Sequence, residues 1–387
     1  MSSRAAIIGV GQTTYVRRHA HKNPAELVYE AASKALADAD VGLDAIGLVI
    51  GGVAPDALSG IDHMDMQAIA RPGIPYFRVN TGGATGSSAV LAALTWIAAG
   101  RCDVVLVVAL ERMGQAESAQ KIFNTIFDPV YEKDVSLSTI VMAAMRASML
   151  MQRYGYRPEQ WAGVAARNSV AASRNPTTPE ARTFTTEQVL ASKILCWPIR
   201  AYEVCPITEG ACAVVVASER MVGSRRAAWI EGAHGLTDSY NMGDRINRPG
   251  GALIDLLTLQ RAARKVYDAA GIADPGREID VAEVQAPFPS AESMHYTGLG
   301  LCSAEQGPAL IDRMLAGKLR IAINPSGGPQ AANPVSATAL VRVAEAAQQV
   351  RGKAGPHQLD GVRRAIATGQ GGANQFSTAI LMGTVRP

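Results

Sequence analysis

Two glycine turns of similar sequence carry the residues best suited to chemistry. Residues 76–83 read YFRVNTGG and residues 319–328 read LRIAINPSGG, so each is a β-rich run followed by asparagine, glycines and an apolar helical pattern. A turn of this kind aims backbone N–H groups and the positive end of a helix at one spot. That spot suits an anion or a developing oxyanion. The residues predicted to bind substrate on these turns are Gly82, Gly83, Asn324, Gly327 and Gly328.

The thiols of the chain lie away from these turns in sequence. A cysteine on such a turn would have its thiolate stabilised by the local field and would be a nucleophile at neutral pH. The first turn, however, offers only glycine, alanine and threonine at 82–85. The five cysteines show no CxxC or Cys/His ligand spacing, which predicts a reduced cytoplasmic protein without a metal site. They are Cys102, Cys196, Cys205, Cys212 and Cys302.

The elements that must position the turns occur twice along the chain. Apolar Val/Ile/Leu/Ala runs alternate with helical patterns, as in a sheet covered on both faces. The matching segments are 24–40 with 253–270, 46–51 with 279–286, 102–111 with 362–369, and 211–218 with 377–382. An internal repeat of this length predicts a duplicated α/β fold with five α/β/α/β/α layers.

The two halves are predicted at 1–235 and 236–387, with a loop domain at about 115–205 inserted into the first. This insertion breaks the alternation of strands and helices, and we expect it to cover the substrate. Its methionines favour a helix face packed in an interface over a pliable ligand surface. They are Met142, Met145, Met149 and Met151.

Composition narrows the set of partners. A net charge of +3 without a basic run argues against nucleic acid, although a few cationic groups suit an anionic ligand such as coenzyme A. Hydrophobic residues make up 48% of the chain and charged residues 18%, which predicts a homo-oligomer, most simply a homodimer. No apolar run reaches about 18 residues without a charge or breaker, so no membrane span is expected. The first residues do not read as a secretion signal.

Four segments resemble motifs of a known family: CPITEGACA at 205–213, EVQAPF at 283–288, YTGLGLC at 296–302 and NPSGG at 324–328. They resemble the thiolase superfamily, and most of all the sterol-carrier-protein-X type of thiolase and the bacterial lipid-transfer-protein group of thiolase-like proteins. The likeness covers nearly the whole chain. The resemblance implies a thiolase fold acting on acyl-CoA, with coenzyme A as part of the substrate and no permanently bound cofactor.

The resemblance breaks down at the residues that form the family's covalent intermediate. The family sequence VNNNCATGS is VNTGGATGS here, so Gly83 stands at the position of the nucleophilic cysteine. Gln285 replaces the histidine of the family's ELHDCF motif, and Asn333 lies near the place of its base histidine. An acyl-enzyme mechanism needs both a nucleophile and a base. Ordinary thiolysis or Claisen condensation is therefore not expected, and the thiol with the best claim to replace the missing one is Cys302.

The remaining groups fit the stabilisation of an enolate. Gln285 and Asn333 can donate hydrogen bonds to a thioester carbonyl, as can the backbone N–H groups of Gly83 and of Gly371 or Gly372. A retro-aldol cleavage also needs a base for the hydroxyl proton. The candidates for that base are His295, Tyr296 and Glu292. The alternative for each is a helix residue that packs in the core or faces solvent.

Two functions of different classes remain open. The first is cysteine-independent cleavage or formation of a C–C bond in a CoA thioester, of the retro-aldol type, in lipid or sterol side-chain metabolism. The second is a catalytically silent thiolase-like subunit that binds acyl-CoA or transfers lipid and pairs with an active enzyme. Members of the lipid-transfer-protein group that also have glycine at the cysteine position work with a small partner. The resemblance therefore implies a small OB-fold/zinc-ribbon partner.

Overall fold

The computed structural model describes residues 4–53, 69, 72–132, 138–248 and 253–387. The strands are β1 (Ala5–Gln12), β2 (Leu48–Gly52), β3 (Tyr76–Val79), β4 (Val104–Arg112), β5 (Ile194–Cys196), β6 (Ile199–Arg200), β7 (Glu209–Ser218), β8 (Ala228–Thr237), β9 (Val281–Glu283), β10 (Ala322–Ile323), β11 (Arg364–Gly371) and β12 (Phe376–Gly383). The helices are α1 (Pro24–Ala39), α2 (Thr85–Ala98), α3 (Ala119–Phe123), α4 (Thr139–Tyr154), α5 (Pro158–Ala172), α6 (Thr186–Ala191), α7 (Glu219–Val222), α8 (Leu257–Ala270), α9 (Pro275–Glu278), α10 (Pro289–Gly298), α11 (Gly307–Leu315) and α12 (Val335–Arg351). None of these described helices is long and apolar enough to cross a membrane.

Each half of the chain builds the same five-stranded sheet. The strand order is β3-β2-β4-β7-β1 in the first half and β10-β9-β11-β12-β8 in the second. In both sheets the first three strands in this order are parallel, and the last two pair antiparallel. The shared order and directions confirm the predicted duplication.

The layers follow from where the apolar faces lie. Helices α2 and α12 lie between the two sheets and form one core with the facing sides of both. A second core packs α1 on the outer face of the first sheet, and a third packs α8 and α10 on the outer face of the second. Helix α12 is buried along nearly its whole circumference, so its apolar residues lie on several faces and not in one stripe. The predicted α/β/α/β/α order is confirmed.

The seam between the halves is strand β8. It pairs antiparallel with β1 at Ala6 and Ile7 and with β12 along its length, so it joins the two sheets. The boundary predicted between residues 235 and 236 falls inside this strand. No strand is predicted there from the sequence, because the run AWIEGAHGLT mixes charged, glycine and apolar residues and is mostly half-buried.

The segment between the end of β4 and the start of β7 forms the insertion. It contains α3 to α6 and the small β5-β6 hairpin. Helices α4 and α5 pack against α10 of the second half, so the insertion covers the outer side of the second sheet. Of its methionines, Met142 lines the cavity described below, whereas Met149 and Met151 pack against the core.

Candidate active site

A cavity of about 420 Å³ lies where the glycine turns of both halves meet the insertion and α10. Most of its lining side chains are apolar. The sequence-predicted site residues that it brings together are Gly82, Gly83, Gln285, His295, Asn333 and Gly372. Those that do not line it are Glu292, Tyr296, Asn324, Gly327, Gly328 and Gly371.

The first glycine turn and the last glycine loop touch backbone to backbone. A Cβ atom built on Gly82 would lie 3.1 Å from the backbone nitrogen of Gly372, and one built on Gly371 would lie 2.0 Å from the carbonyl oxygen of Thr81. A Cβ on Gly83 would lie 2.5 Å from the carbonyl oxygen of Gln370. Only glycine permits this approach. The position where the resemblance places a nucleophile therefore has no room for a side chain.

We expect Gly83→Cys to destabilise the protein and to confer no thiolysis activity. The new Cβ would overlap the carbonyl oxygen of Gln370 and lie 2.9 Å from Nε2 of Gln285. Overpacking of this kind costs about 1–3 kcal/mol. Urea unfolding measures the loss. A matched control is Gly276→Cys, because the nearest atom to a Cβ there is 3.4 Å away. A Gly83→Cys variant as stable as the wild type and able to cleave 3-ketoacyl-CoA would contradict this steric account.

Gln285 holds the two loops together. Its Nε2 donates to the carbonyl oxygen of Gly83 at 2.9 Å, and its Oε1 accepts from the backbone N–H of Gln370 at 2.8 Å. Its own backbone N–H donates to Oγ1 of Thr368 at 3.1 Å. Both ends of the buried amide are thus bonded to the backbone, so Gln285 positions the two loops, and its predicted hydrogen bond to a thioester carbonyl stays a prediction.

Asn333 forms the cavity wall just before α12. Its Nδ2 lies 3.2 Å from Sγ of Cys205, and its Oδ1 accepts from Oγ1 of Thr338 at 2.8 Å. Its backbone N–H donates to Oγ1 of Thr208 at 2.9 Å. Asn333 therefore connects the start of α12 to the segment that precedes β7.

His295 lies in the cavity wall and has one buried ring nitrogen without a described partner. Helical spacing on α10 places Ala291, Met294 and His295 on one lining face. Nδ1 of His295 lies 2.9 Å from the carbonyl oxygen of Ala291, which can only accept, so Nδ1 carries the hydrogen. Nε2 has no partner among the described residues. Burial lowers the pKa of His295 to about 4, which keeps the ring neutral near pH 7.

Glu292 and Tyr296 face away from the cavity, into a buried polar cluster. Glu292 accepts from Arg167 at 2.5 Å, Asn168 at 2.8 Å and Asn324 at 3.0 Å, and from the Tyr296 hydroxyl at 2.6 Å. Burial opposes ionisation of Glu292, but Arg167 and these donors outweigh it and lower the pKa of Glu292. Burial and Glu292 raise the pKa of Tyr296 far above its usual value. Tyr296 therefore keeps its proton, and the cluster ties α10 to α5.

The second glycine turn is built into the core beside this cluster. Asn324 has a left-handed backbone with φ 47°, and a Cβ on Gly327 would lie 2.6 Å from helix α5. Both the N–H and the hydroxyl of Ser326 donate to Glu283, which forms a buried ion pair with Arg342. These contacts fix the turn against β9 and α12.

Gln370 lines the cavity and has no counterpart among the sequence-predicted residues. Its side chain is buried, and its Nε2 has no hydrogen-bond partner within the part of the chain that the structure describes. A buried amide donor without a partner is uncommon in folded proteins. The only sequence signal was its place in the loop TGQGGA at 368–373, which offers no chemistry by itself.

The thiols near the site are poor nucleophiles. Cys205 lines the cavity, and burial raises its pKa to about 12. Cys302 packs against the core outside the lining, and burial raises its pKa to about 11. Thiolate is the reactive form. Both side chains are therefore protonated, unreactive thiols at neutral pH.

A larger, more polar groove adjoins the cavity. It has a volume of about 1370 Å³ and shares Met113, Gln120, Val204, Pro206 and Ile207 with the cavity. Three exposed arginines line it, together with carboxylates of the insertion. These arginines are Arg17, Arg18 and Arg182. A polar outer groove thus leads to an apolar inner cavity.

Comparison with known proteins agrees with this architecture. Residues 5–189 match the family model "Thiolase, N-terminal domain", and residues 252–384 match "Thiolase C-terminal domain-like". Human sterol carrier protein 2 is 30% identical over 395 residues, which cover 96% of this chain and 70% of the human protein. The chain belongs to the thiolase family. An acetyl-CoA acetyltransferase of Methanothermobacter thermautotrophicus is 28% identical to this thiolase-family chain over 95% of its length and 96% of the archaeal protein.

Solved structures share the fold of this thiolase-family chain. The structure named Ltp2-ChsH2(DUF35) aldolase matches with a TM-score of 0.82 and 22% identity, covering 98% of this chain and 97% of that one. A monomeric SCP2-thiolase like protein type 1 from Mycobacterium smegmatis matches with a TM-score of 0.73 and 20% identity, covering 99% of this chain and 77% of that one. At these identities the likeness establishes the fold.

Proposed function

We propose that this thiolase-family protein cleaves a C–C bond in a β-hydroxyacyl-CoA by a retro-aldol reaction and forms no covalent acyl-enzyme. The observation that carries the proposal is that Nε2 of His295 has no partner among the described residues, and that His295 lies in the wall of a cavity whose glycine turn leaves no room for a thiol. A base without a nucleophile is what a retro-aldol cleavage requires of a protein.

The proposed reaction needs no reactant other than the substrate and the side chains of the protein. Nε2 of His295 takes the proton of the β-hydroxyl group, and the hydroxyl oxygen becomes the carbonyl oxygen of an aldehyde or ketone. The bond between Cα and Cβ breaks, and its electron pair forms the enolate of the shortened thioester. The imidazolium then returns the proton to Cα. Nε2H₂ of Gln370 and the backbone N–H groups of Gly83 and Gly372 are proposed to stabilise the enolate oxygen.

The two adjoining concavities suit the two ends of an acyl-CoA. The acyl group would fill the apolar cavity, and the coenzyme would lie in the outer groove. There Arg17, Arg18 and Arg182 offer positive charge to its phosphates. The thioester would then sit near Gly83, in the wall of the inner cavity.

The name of one structural neighbour supports the aldolase proposal. The fold neighbour with a TM-score of 0.82 is named as an aldolase that includes a DUF35 component. We propose that this chain likewise works with a small OB-fold/zinc-ribbon partner and forms a homodimer. Exposed apolar side chains on and beside the β5-β6 hairpin offer a surface for such contacts. They are Ile194, Leu195, Trp197 and Tyr202.

We expect cleavage of a β-hydroxyacyl-CoA to survive thiol alkylation. Cys205 and Cys302 are protonated, since burial raises their pKa values to about 12 and about 11, so iodoacetamide reacts slowly. The assay measures release of aldehyde or ketone before and after treatment. A cysteine-dependent acetyl-CoA acetyltransferase, treated in parallel, is the positive control. Loss of activity in proportion to alkylation would refute the mechanism. Stabilisation by acyl-CoA without turnover, with or without a partner, would favour the silent-subunit function.

A further inference from the structure

One cation in the cavity wall has no counter-ion among the described residues. Arg146 lies on α4, one turn after Met142 and Ala143, and all three line the cavity. Its side chain is only 6% exposed. No described carboxylate pairs with it, since Arg245 is the one described charged group that acts on it, and its Nε has no hydrogen-bond partner among the described residues.

A second buried arginine increases the local positive charge. Nη2 of Arg146 and Nη1 of Arg245 donate to the same carbonyl oxygen, that of Ala373, at 2.8 and 2.9 Å. Nη2 of Arg245 also lacks a partner in the described ranges. Burial and Arg245 lower the pKa of Arg146 to about 9. Two guanidinium groups therefore share one neutral acceptor next to Gly372.

The carboxylates whose charge acts on Arg245 are Asp238, Glu132 and Asp244, and the first two are bound elsewhere. Asp238 forms a bidentate pair with Arg248, at 2.5 and 3.0 Å. Glu132 accepts from the backbone N–H groups of Gly243 and Asp128. Removing a charge from water without pairing it is unfavourable, so a buried guanidinium without a described counter-ion favours the binding of an anion.

We propose that Arg146 binds a carboxylate carried by the acyl group of the substrate, so that the cavity selects acyl chains with an anionic group over plain hydrocarbon chains. The planar guanidinium matches the two oxygens of a carboxylate. The surrounding apolar wall, with Ile126, Ile140 and Met142, would contact the intervening methylene groups. This inference rests on the proposed binding of acyl-CoA in the cavity.

The test compares CoA thioesters that differ only in a terminal carboxylate: succinyl with butyryl, glutaryl with pentanoyl, and adipoyl with hexanoyl. Isothermal titration calorimetry gives each dissociation constant. We expect at least one carboxylate-bearing ester to bind the wild type about 10- to 100-fold more tightly than its match. Arg146→Gln should abolish that preference, so that the charged and uncharged esters of each pair bind with similar affinity. Arg153→Gln, on the exposed side of α4, should behave as the wild type.

Two further comparisons distinguish loss of the anion site from loss of the fold and from loss of acyl-CoA binding. Arg146→Lys retains the charge and should retain part of the preference, which separates loss of the anion site from loss of the fold. Free octanoate and octanol, compared by thermal shift, test the anion site without coenzyme A. A carboxylate preference that depends on Arg146 in either arm supports the proposal. If octanoate shows that preference and no CoA ester binds, the anion site stands and the acyl-CoA function fails. Equal binding of every charged and uncharged pair to the wild type overturns the proposal.

Discussion

Replacing His295 with glutamine is expected to lower kcat/KM for β-hydroxyacyl-CoA cleavage by about 10²- to 10⁴-fold, the usual contribution of a positioned general base. Glutamine keeps a polar group of similar length but cannot take a proton. The wild-type base is already neutral, since burial lowers the pKa of His295 to about 4 despite the nearby Glu292. The base form is therefore present above that pH and is lost as the pH falls through it. The wild-type rate should fall only below about pH 5 on account of this group.

Steady-state kinetics of the purified variants measure this effect. His234→Gln is a matched control, because His234 lies on β8 and outside the cavity lining. It should stay within about twofold of the wild type, as surface and remote substitutions usually do. Retention of more than half of the activity by a folded His295→Gln variant would assign the base to another residue.

Gln370→Leu is expected to lower kcat by about 10²- to 10³-fold with little change in stability, as when one oxyanion donor is removed. The stability should change little because Nε2 of Gln370 has no hydrogen-bond partner among the described residues, so its removal breaks no hydrogen bond. Its Oε1 makes only a long contact, 3.4 Å, with the hydroxyl of Ser377. Steady-state kinetics and urea unfolding, run on the same sample, separate the two effects.

Gln285→Leu is the informative comparison for Gln370→Leu. Because the amide of Gln285 bonds to the backbone of Gly83 and of Gln370, its loss leaves two buried backbone groups without partners. That costs about 1–3 kcal/mol for each unsatisfied group. We therefore expect Gln285→Leu to lower the stability measured by urea unfolding, and Gln370→Leu to lower turnover. The reverse pattern would exchange the roles of the two glutamines.

The duplicated fold could be predicted from the sequence because the same order of strand and helix patterns occurs in both halves of the chain. Segments such as 46–51 and 279–286 became β2 and β9, which occupy equivalent places in the two sheets. Strand β8 was missed because its burial depends on pairing with β1 and β12, which are distant in sequence. A pattern of half-buried residues does not reveal such partners.

The candidate site was only partly readable for a related physical reason. His295, Glu292 and Tyr296 were candidates together because they are neighbours in sequence, but helix geometry places His295 on the cavity face and the other two in a buried cluster. Gln370 and Arg146 are ordinary residues in the sequence. Only the structure shows that both side chains are buried and that each has a nitrogen without a described partner.

The most direct test of the central claim is intact-protein mass spectrometry during turnover of a β-hydroxyacyl-CoA, with the aldehyde or ketone product measured in the same reaction. We expect product to accumulate over many turnovers while the mass of the protein stays that of the unmodified chain. A protein acylated at any side chain during turnover would contradict the proposed mechanism.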